Sequence, residues 1–260
     1  MIITDWPTKR VVVTAGAAGI GLAITRAFAE RGARVHVCDV SAEALQALSG
    51  QGGSIVGHQA DVANENDVDG FMKAALDALG GLDVLVNNAG ISGPTAAIED
   101  IALSDWRQTL AVNLDGMLLV RRRAVPALGA AGGGAIVNIS SIAGRLGASL
   151  RLPYCTTKFG VVGLTRSLAV ELGPRNISVN AILPGFVEGE RINRIIRERA
   201  EALGLTIEQM RAAFLKNVSM RTTVTPQEIA EMAIYLSSRA GCHISGQSIS
   251  VCGNVMSTEA

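Results

Sequence analysis

The sequence predicts a doubly wound parallel α/β sheet in a single domain over residues 1–260, and three observations carry that prediction. Short β-branched runs alternate with helical patterns from one end to the other, with no linker, repeat or low-complexity tract between them. The strand runs are continuously apolar, the pattern of strands covered by helices on both faces. The 29 glycines stand at the junctions between runs, where tight strand-to-helix turns need them, and not in one flexible tract. In such a sheet a ligand lies beyond the carboxyl ends of the strands, so the residues just after each strand are the ones to read for function.

In chain order, Arg10–Thr14 is the first strand, followed at once by the glycine-rich Ala15–Gly21. Leu22–Arg31 reads as a helix with Leu22, Ile24, Ala27 and Phe28 as its apolar positions. Ala33–Cys38 is the second strand, closed by Asp39, and Ser41–Leu48 is a helix with Ser41 as candidate N-cap. Ser54–Gly57 leads to Asp61, Glu65–Leu79 is helical, and Leu82–Val86 ends in Asn87-Asn88-Ala89-Gly90. A long helix is expected over Ser104–Leu128, then a strand over Ala135–Ile139 ending in Ser140-Ser141. A second long helix covers Pro153–Leu172, and the strand Ile177–Ile182 runs to Pro184-Gly185. Residues 188–218 read as two short helices, an expected substrate lid, the second opened by a Thr206/Gln209 capping box. Thr225-Pro226-Gln227-Glu228 is a further helix start, and Ser248–Val251 is the last strand.

Composition excludes several classes. Hydrophobic residues make up 48% and charged residues 18%, which is enough to build a core and rules out intrinsic disorder. Lysine plus arginine balances aspartate plus glutamate at 23 each, which argues against nucleic acid as a partner. No apolar run is long enough for a membrane span, and the opening residues carry no secretory pattern. Cys38, Cys155, Cys242 and Cys252 are scattered, with no ligand spacing for a metal; the expectation is reduced thiols in a cytoplasmic protein. No Gly-x-Ser-x-Gly elbow is present, and His36, His58 and His243 follow no hydrolase pattern.

The first strand leads into Thr14-Ala15-Gly16-Ala17-Ala18-Gly19-Ile20-Gly21. Small residues let backbone approach a ligand, and the following helix offers free N–H groups and a positive dipole end to a pyrophosphate. About twenty residues on, Asp39 ends the second strand, where a carboxylate accepts from ribose hydroxyls and repels a 2′-phosphate. Ala18 and Val40 supply no cation beside it, so the expected cofactor is NAD.

With these motifs the chain resembles the short-chain dehydrogenase/reductase family over essentially its whole length, which implies a Rossmann fold. The family's TGxxxGxG motif stands here with Ala15 at its first glycine. The resemblance implies that Asp61-Val62 lies against the adenine. It further implies that Asn87, Ala89 and Gly90 line the adenosine and ribose while steadying the central strands, and that Pro184-Gly185-Phe186-Val187 covers the nicotinamide. Members often carry a threonine two residues past that valine; Gly189 stands there instead.

Tyr154 and Lys158 are four apart at the start of a helix and share one face. A lysine ammonium near a phenol favours the phenolate, which a general base at neutral pH requires. Ser141 precedes Tyr154 by thirteen residues and can bond the same substrate oxygen, with Ser140 as its competitor. The resemblance assigns Ser141 to position substrate, Tyr154 as acid/base, Lys158 to tune the tyrosine and hold the ribose, and Asn113 to support a water in the proton relay. The expected reaction is reversible hydride transfer between a secondary alcohol and the nicotinamide, with no metal.

The pocket candidates are Ser92-Gly93-Pro94, Arg145-Leu146-Gly147, Arg151, Glu188 and Arg191, and the three arginines suggest a sugar, sugar acid, polyol or cyclic alcohol. Two alternatives stand beside this reading: a 3-oxoacyl thioester reductase of the same family, and a dinucleotide sensor without catalysis. The Pro153–Leu172 helix carries two apolar stripes, Val161, Leu164, Leu168 and Leu172, and Phe159, Val162, Ala169 and Val170. Only one can face the sheet. The other, with the Ser104–Leu128 helix, needs a second copy, and the resemblance points to the same helices; a homotetramer is expected.

Overall fold

The computed structural model describes residues 6–49 and 54–258. Strands β1 (Arg10–Thr14), β2 (Arg34–Asp39), β3 (Ile55–Gln59), β4 (Val84–Asn87), β5 (Gly134–Ile139), β6 (Ile177–Pro184) and β7 (Ser248–Val251) form one sheet in the order 3-2-1-4-5-6-7. Every pairing is parallel. The chain winds outward from β1 to β3, returns to β4 and winds outward the other way. The crevice where the order reverses lies between the ends of β1 and β4.

Helices cover both faces. On one, α1 (Gly19–Glu30) and α9 (Pro226–Leu236) bury Ile24, Phe28, Ile229 and Ala233 against Val11, Val13, Val84, Val86 and Val137. On the other, α3 (Glu65–Leu79), α5 (Gly116–Ala130) and α6 (Leu152–Leu172) bury Phe71, Met72, Val120, Leu128 and Leu172 against Val12, Leu85, Ile136 and Val179. The alternate residues of each strand thus feed two cores, and this is why the runs are apolar throughout. At the sheet's edge the expectation fails. β3 has only β2 beside it, and Val56 is 40% exposed.

The helix signals hold at most ends. Ser41 accepts from the Ala44 N–H at 3.1 Å ahead of α2 (Ala42–Ser49). Thr206 and Gln209 close a capping box on α8 (Ile207–Lys216), and Thr225 and Glu228 close one on α9. α7 (Glu190–Leu203) and α8 pack on one another around Ile192, Ile196, Ala200, Met210 and Phe214, a core separate from the two beside the sheet.

Two helix expectations are corrected. The first helix begins at Gly19, so Gly19-Ile20-Gly21 form its first turn and are not a loop ahead of it. The single helix over Ser104–Leu128 is instead α4 (Leu103–Leu110), a π-helical turn over Ala111–Asp115, and α5. The extra residue in that turn lies at Asn113, which is wholly buried and bonded sideways to a neighbouring loop and helix. Periodicity cannot register such a bulge, because the apolar pattern resumes on its far side.

Candidate active site

The crevice between β1 and β4 is closed by backbone. The Thr14 hydroxyl accepts from the N–H groups of Asn88 and Ala89, both at 3.0 Å, and the Asn88 amide donates to the carbonyls of Thr14 and Ala15 at 3.2 and 2.9 Å. Gly16 donates to the Cys38 carbonyl at 3.1 Å, and a Cβ on it would sit 2.7 Å from the Val37 side chain. A Cβ on Gly21 would overlap the Ala15 carbonyl oxygen. Gly19 has open space around it but a φ of +52°, so there the need for glycine is conformational. Ala15 itself has a φ of +48°. The departure from the family's glycine therefore strains the backbone, rather than crowding the turn with a methyl.

The residue ahead of α1, Ala18, is extended and gives the helix no side-chain cap. The first N–H groups of α1 face the crevice mouth with the positive end of the dipole. Asp39 is half-buried, and its carboxylate accepts from Ala17 N–H at 3.2 Å and from Ser41 N–H at 3.1 Å, which fixes it beside the loop. Val40 next to it is 63% exposed. Asp61 accepts from Ala63 N–H at 2.9 Å, and Val62 is buried. A pyrophosphate at the helix end and a ribose at Asp39 fit these residues.

Beyond the loop, Pro184-Gly185 ends β6. Gly185 is packed so that a Cβ would lie 2.7 Å from that of Cys252, and Val187 bridges to Val224. Gly189 has a φ of +137°, a conformation a threonine would adopt only under strain, which accounts for the residue found there. The Asn87 side chain lies in the sheet against β5. It is 1% exposed, its amide nitrogen donates to Asn138 at 3.0 Å, and its amide oxygen has no protein partner.

The Tyr–Lys–Ser group assembles at the ends of β5 and α6. Lys158 is buried; its Nζ donates to the Ile139 carbonyl at 3.0 Å and lies 5.6 Å from the centre of the Tyr154 ring. A Cβ on Gly90 would stand 3.3 Å from that Nζ and from the Asn113 amide oxygen, so the glycine keeps the β4 loop close to both. The adjacent serines divide. Ser140 is buried and donates to the Lys158 carbonyl at 2.8 Å, while Ser141 is half-buried and accepts from Ala143 N–H at 3.1 Å. Strand alternation sends one hydroxyl inward and leaves the other at the opening.

Asn113 is used as a clamp. Its amide accepts from Ile91 N–H at 2.8 Å and donates to the Ile91 carbonyl and the Thr157 hydroxyl, both at 3.0 Å. Thr157 in turn donates to the Tyr154 carbonyl at 2.8 Å. Both amide hydrogens are thereby engaged, which ties the β4 loop to the tyrosine's turn of α6. Thr157 and Ile91 were not singled out from sequence, and neither carries a motif.

Of the three arginines, Arg151 lies 5.0 Å from the centre of the Tyr154 ring and donates to Thr95 at 2.9 Å. Arg145 is exposed on the loop after Ser141, and the Arg191 side chain lies outside the described residues. Glu188 accepts from the Thr223 hydroxyl at 2.8 Å. Ile142, Val218, Cys252 and Val255 form an apolar wall beside the serine loop, with Leu146 and Phe186 against it. His243 is exposed. Among the described residues no cluster of His, Cys, Asp or Glu could hold a metal, and no helix is long and apolar enough to cross a membrane.

A glycine-rich β1–α1 turn, an acid ending β2 and a Tyr–Lys–Ser group at the switch point define a nicotinamide-dependent oxidoreductase of the Rossmann class. A family model described as enoyl-(acyl carrier protein) reductase matches residues 15–254, and the chain belongs to the short-chain dehydrogenase/reductase family. It is 37% identical to a D-threitol dehydrogenase of Mycolicibacterium smegmatis, over 94% of this chain and 92% of that protein. It is 31% identical to a D-beta-hydroxybutyrate dehydrogenase of Rhizobium meliloti, over 95% and 98%. Among solved structures it is similar to a variant of actinorhodin polyketide ketoreductase with NADPH, at a TM-score of 0.91 and 31% identity over 98% of this chain and 99% of that one.

Proposed function

We propose that the protein interconverts a secondary alcohol and a ketone with NAD(H), using Tyr154 as acid/base. The observation that carries this reading is the buried Lys158 ammonium, 5.6 Å from the Tyr154 ring and held by the Ile139 carbonyl. A cation so placed stabilises the phenolate, so Tyr154 takes the hydroxyl proton of an alcohol or returns it to a ketone oxygen. Ser141 donates to the same oxygen and fixes its place. Lys158 also holds the ribose, and Asn113 keeps the β4 loop and the tyrosine's turn in register. The nicotinamide, when bound, supplies the acceptor or donor of the hydride.

Asp39 supports NAD over NADP, since a carboxylate fixed beside the loop would repel a 2′-phosphate and Val40 offers no cation. The hairpin of α7 and α8 is proposed as the substrate lid, within residues 188–218. Arg151 at the tyrosine and the threitol and hydroxybutyrate activities of two relatives support a hydroxyl-rich or acidic substrate. The ketoreductase similarity favours a second reading, reduction of a 3-oxoacyl thioester with NADPH. Phe159 at 47%, Leu118 at 54% and Val170 at 81% exposure support a homotetramer built on α5 and α6. The four cysteines, none of them paired, support a reducing, cytoplasmic setting.

The test is a screen of NAD⁺ and NADP⁺ reduction over sugars, sugar acids, polyols and cyclic alcohols, with the reverse reaction on a 3-oxoacyl thioester. NAD⁺ preferred by ~10-fold or more in kcat/KM, and loss of turnover in Tyr154→Phe with NADH binding retained, support the proposal. NADPH-driven thioester reduction as the main activity supports the second reading, and an active Tyr154→Phe removes both.

A further inference from the structure

Between the sheet and α5/α6 lies a second buried charged side chain besides Lys158. Arg121 of α5 is 3% exposed and takes part in no ion pair among the described residues. Its Nη2 donates to the Asn138 amide oxygen at 2.7 Å and lies 3.4 Å from the Met117 sulfur, while Nε and Nη1 have no protein partner. Burial pushes the guanidinium down to about 9, which leaves it charged at neutral pH. An unpaired buried cation is costly, so its retention needs a reason beyond packing.

Asn138 supplies the reason. Its amide oxygen accepts from Arg121 and from Asn87 at the end of β4, and its amide nitrogen donates to Thr165 of α6 at 2.9 Å. The next residue, Ile139, gives its carbonyl to Lys158 Nζ; Ser140 bonds the Lys158 carbonyl; and Ser141 opens to the site. Asn138 is therefore the first of three successive residues that set β5 against α6, and both lone pairs of its oxygen are occupied. We infer that Arg121 is a positioning residue: through Asn138 it fixes the end of β5, and with it the Ile139 carbonyl that aims the Lys158 ammonium at the cofactor's ribose. This rests on the proposed role of Lys158 in holding the cofactor.

NADH titration by fluorescence and thermal unfolding test it, with no need of a known substrate. Arg121→Met keeps the length and apolar body of the side chain and removes charge and donor. It is expected to weaken NADH binding by about fivefold while the unfolding midpoint stays level or rises. Arg121→Lys, which keeps a charged donor, should recover most of the affinity. A residue that only fills space would leave NADH affinity unchanged in Arg121→Met. Lys158→Ala separates the two claims. If it leaves NADH binding unchanged, the reading of Lys158 is wrong. If it weakens binding but Arg121→Met does not, the positioning role is overturned. Should Arg121→Met fail to fold, Thr165→Val releases the other side of Asn138 without touching the charge, and unchanged NADH affinity there overturns it equally.

Discussion

The glycine loop and the α7–α8 hairpin, the proposed cofactor and substrate elements, are held together by opposite means. Around the loop almost every close contact is backbone: the Thr14 hydroxyl caps two N–H groups, Gly21 leaves room for the Ala15 carbonyl, and α1 begins without a side-chain cap. The hairpin is held by side chains, five buried residues forming a core of their own. A dinucleotide presents the same phosphates and sugars every time, so a rigid backbone mould suits it. Substrates differ between relatives, and a hairpin with a separate core lets side chains change without disturbing the sheet.

Four measurements break or sharpen that contrast. Gly21→Ala sets a methyl against a fixed carbonyl and should abolish measurable NADH binding, read by fluorescence titration. Phe214→Ala removes the ring packed edge-on to Phe186 at 5.0 Å. It should cost the hairpin about 4 kcal/mol, seen as proteolytic cleavage within 190–216, with NADH affinity kept. Loss of NADH binding in that variant would mean the two regions are not separable.

Acid should load the β2–β3 side of the sheet through His36. His36 is 5% exposed on β2, with its Nδ1 3.4 Å from Nε2 of His58, and burial and that neighbour hold it down at about 4. The unfolded chain protonates His36 near pH ~6.5, so between ~6.5 and ~4 the unfolded state binds the extra proton. Stability is then full above pH ~6.5 and falls as pH drops, by roughly 3 kcal/mol at the lower end. Denaturant unfolding at several pH values reads this, and His36→Leu should flatten the slope. The smallest effect is a gain: Ala15→Gly relieves the left-handed alanine and should stabilise the protein by about 1 kcal/mol in the same assay.

Much of this was legible before any coordinates. The alternation of runs gave the winding of the sheet because each βα unit is built from local signals, and the caps at Ser41, Thr206 and Thr225 are local too. Tyr154, Lys158 and Ser141 were singled out by their spacing together with the family resemblance. The clamps behind them did not. Asn113 interrupts a helix through bonds to Ile91 and Thr157, partners 22 and 44 residues away. Arg121 stood in a run of three arginines that reads as solvated surface, although only its helical phase turns it inward. Asn138 had a signal, a lone amide within an apolar strand, whose meaning depends on what faces it. Strain at Ala15 was likewise invisible, since a dihedral angle leaves no trace in composition.

The paired serines at the end of β5 set a limit on how this gene segment can change length. Ser140 and Ser141 are chemically identical, and their duties differ because successive residues of the extended segment that continues β5 point to opposite sides. Insertion or deletion of a single codon ahead of them would carry the inner serine to the opening and bury the outer one, while also moving Asn138 off its partners. Point substitution can explore the hairpin freely, but through β5 the reading frame of the fold admits no slippage, and variants of this enzyme should differ there in residue identity and never in residue number.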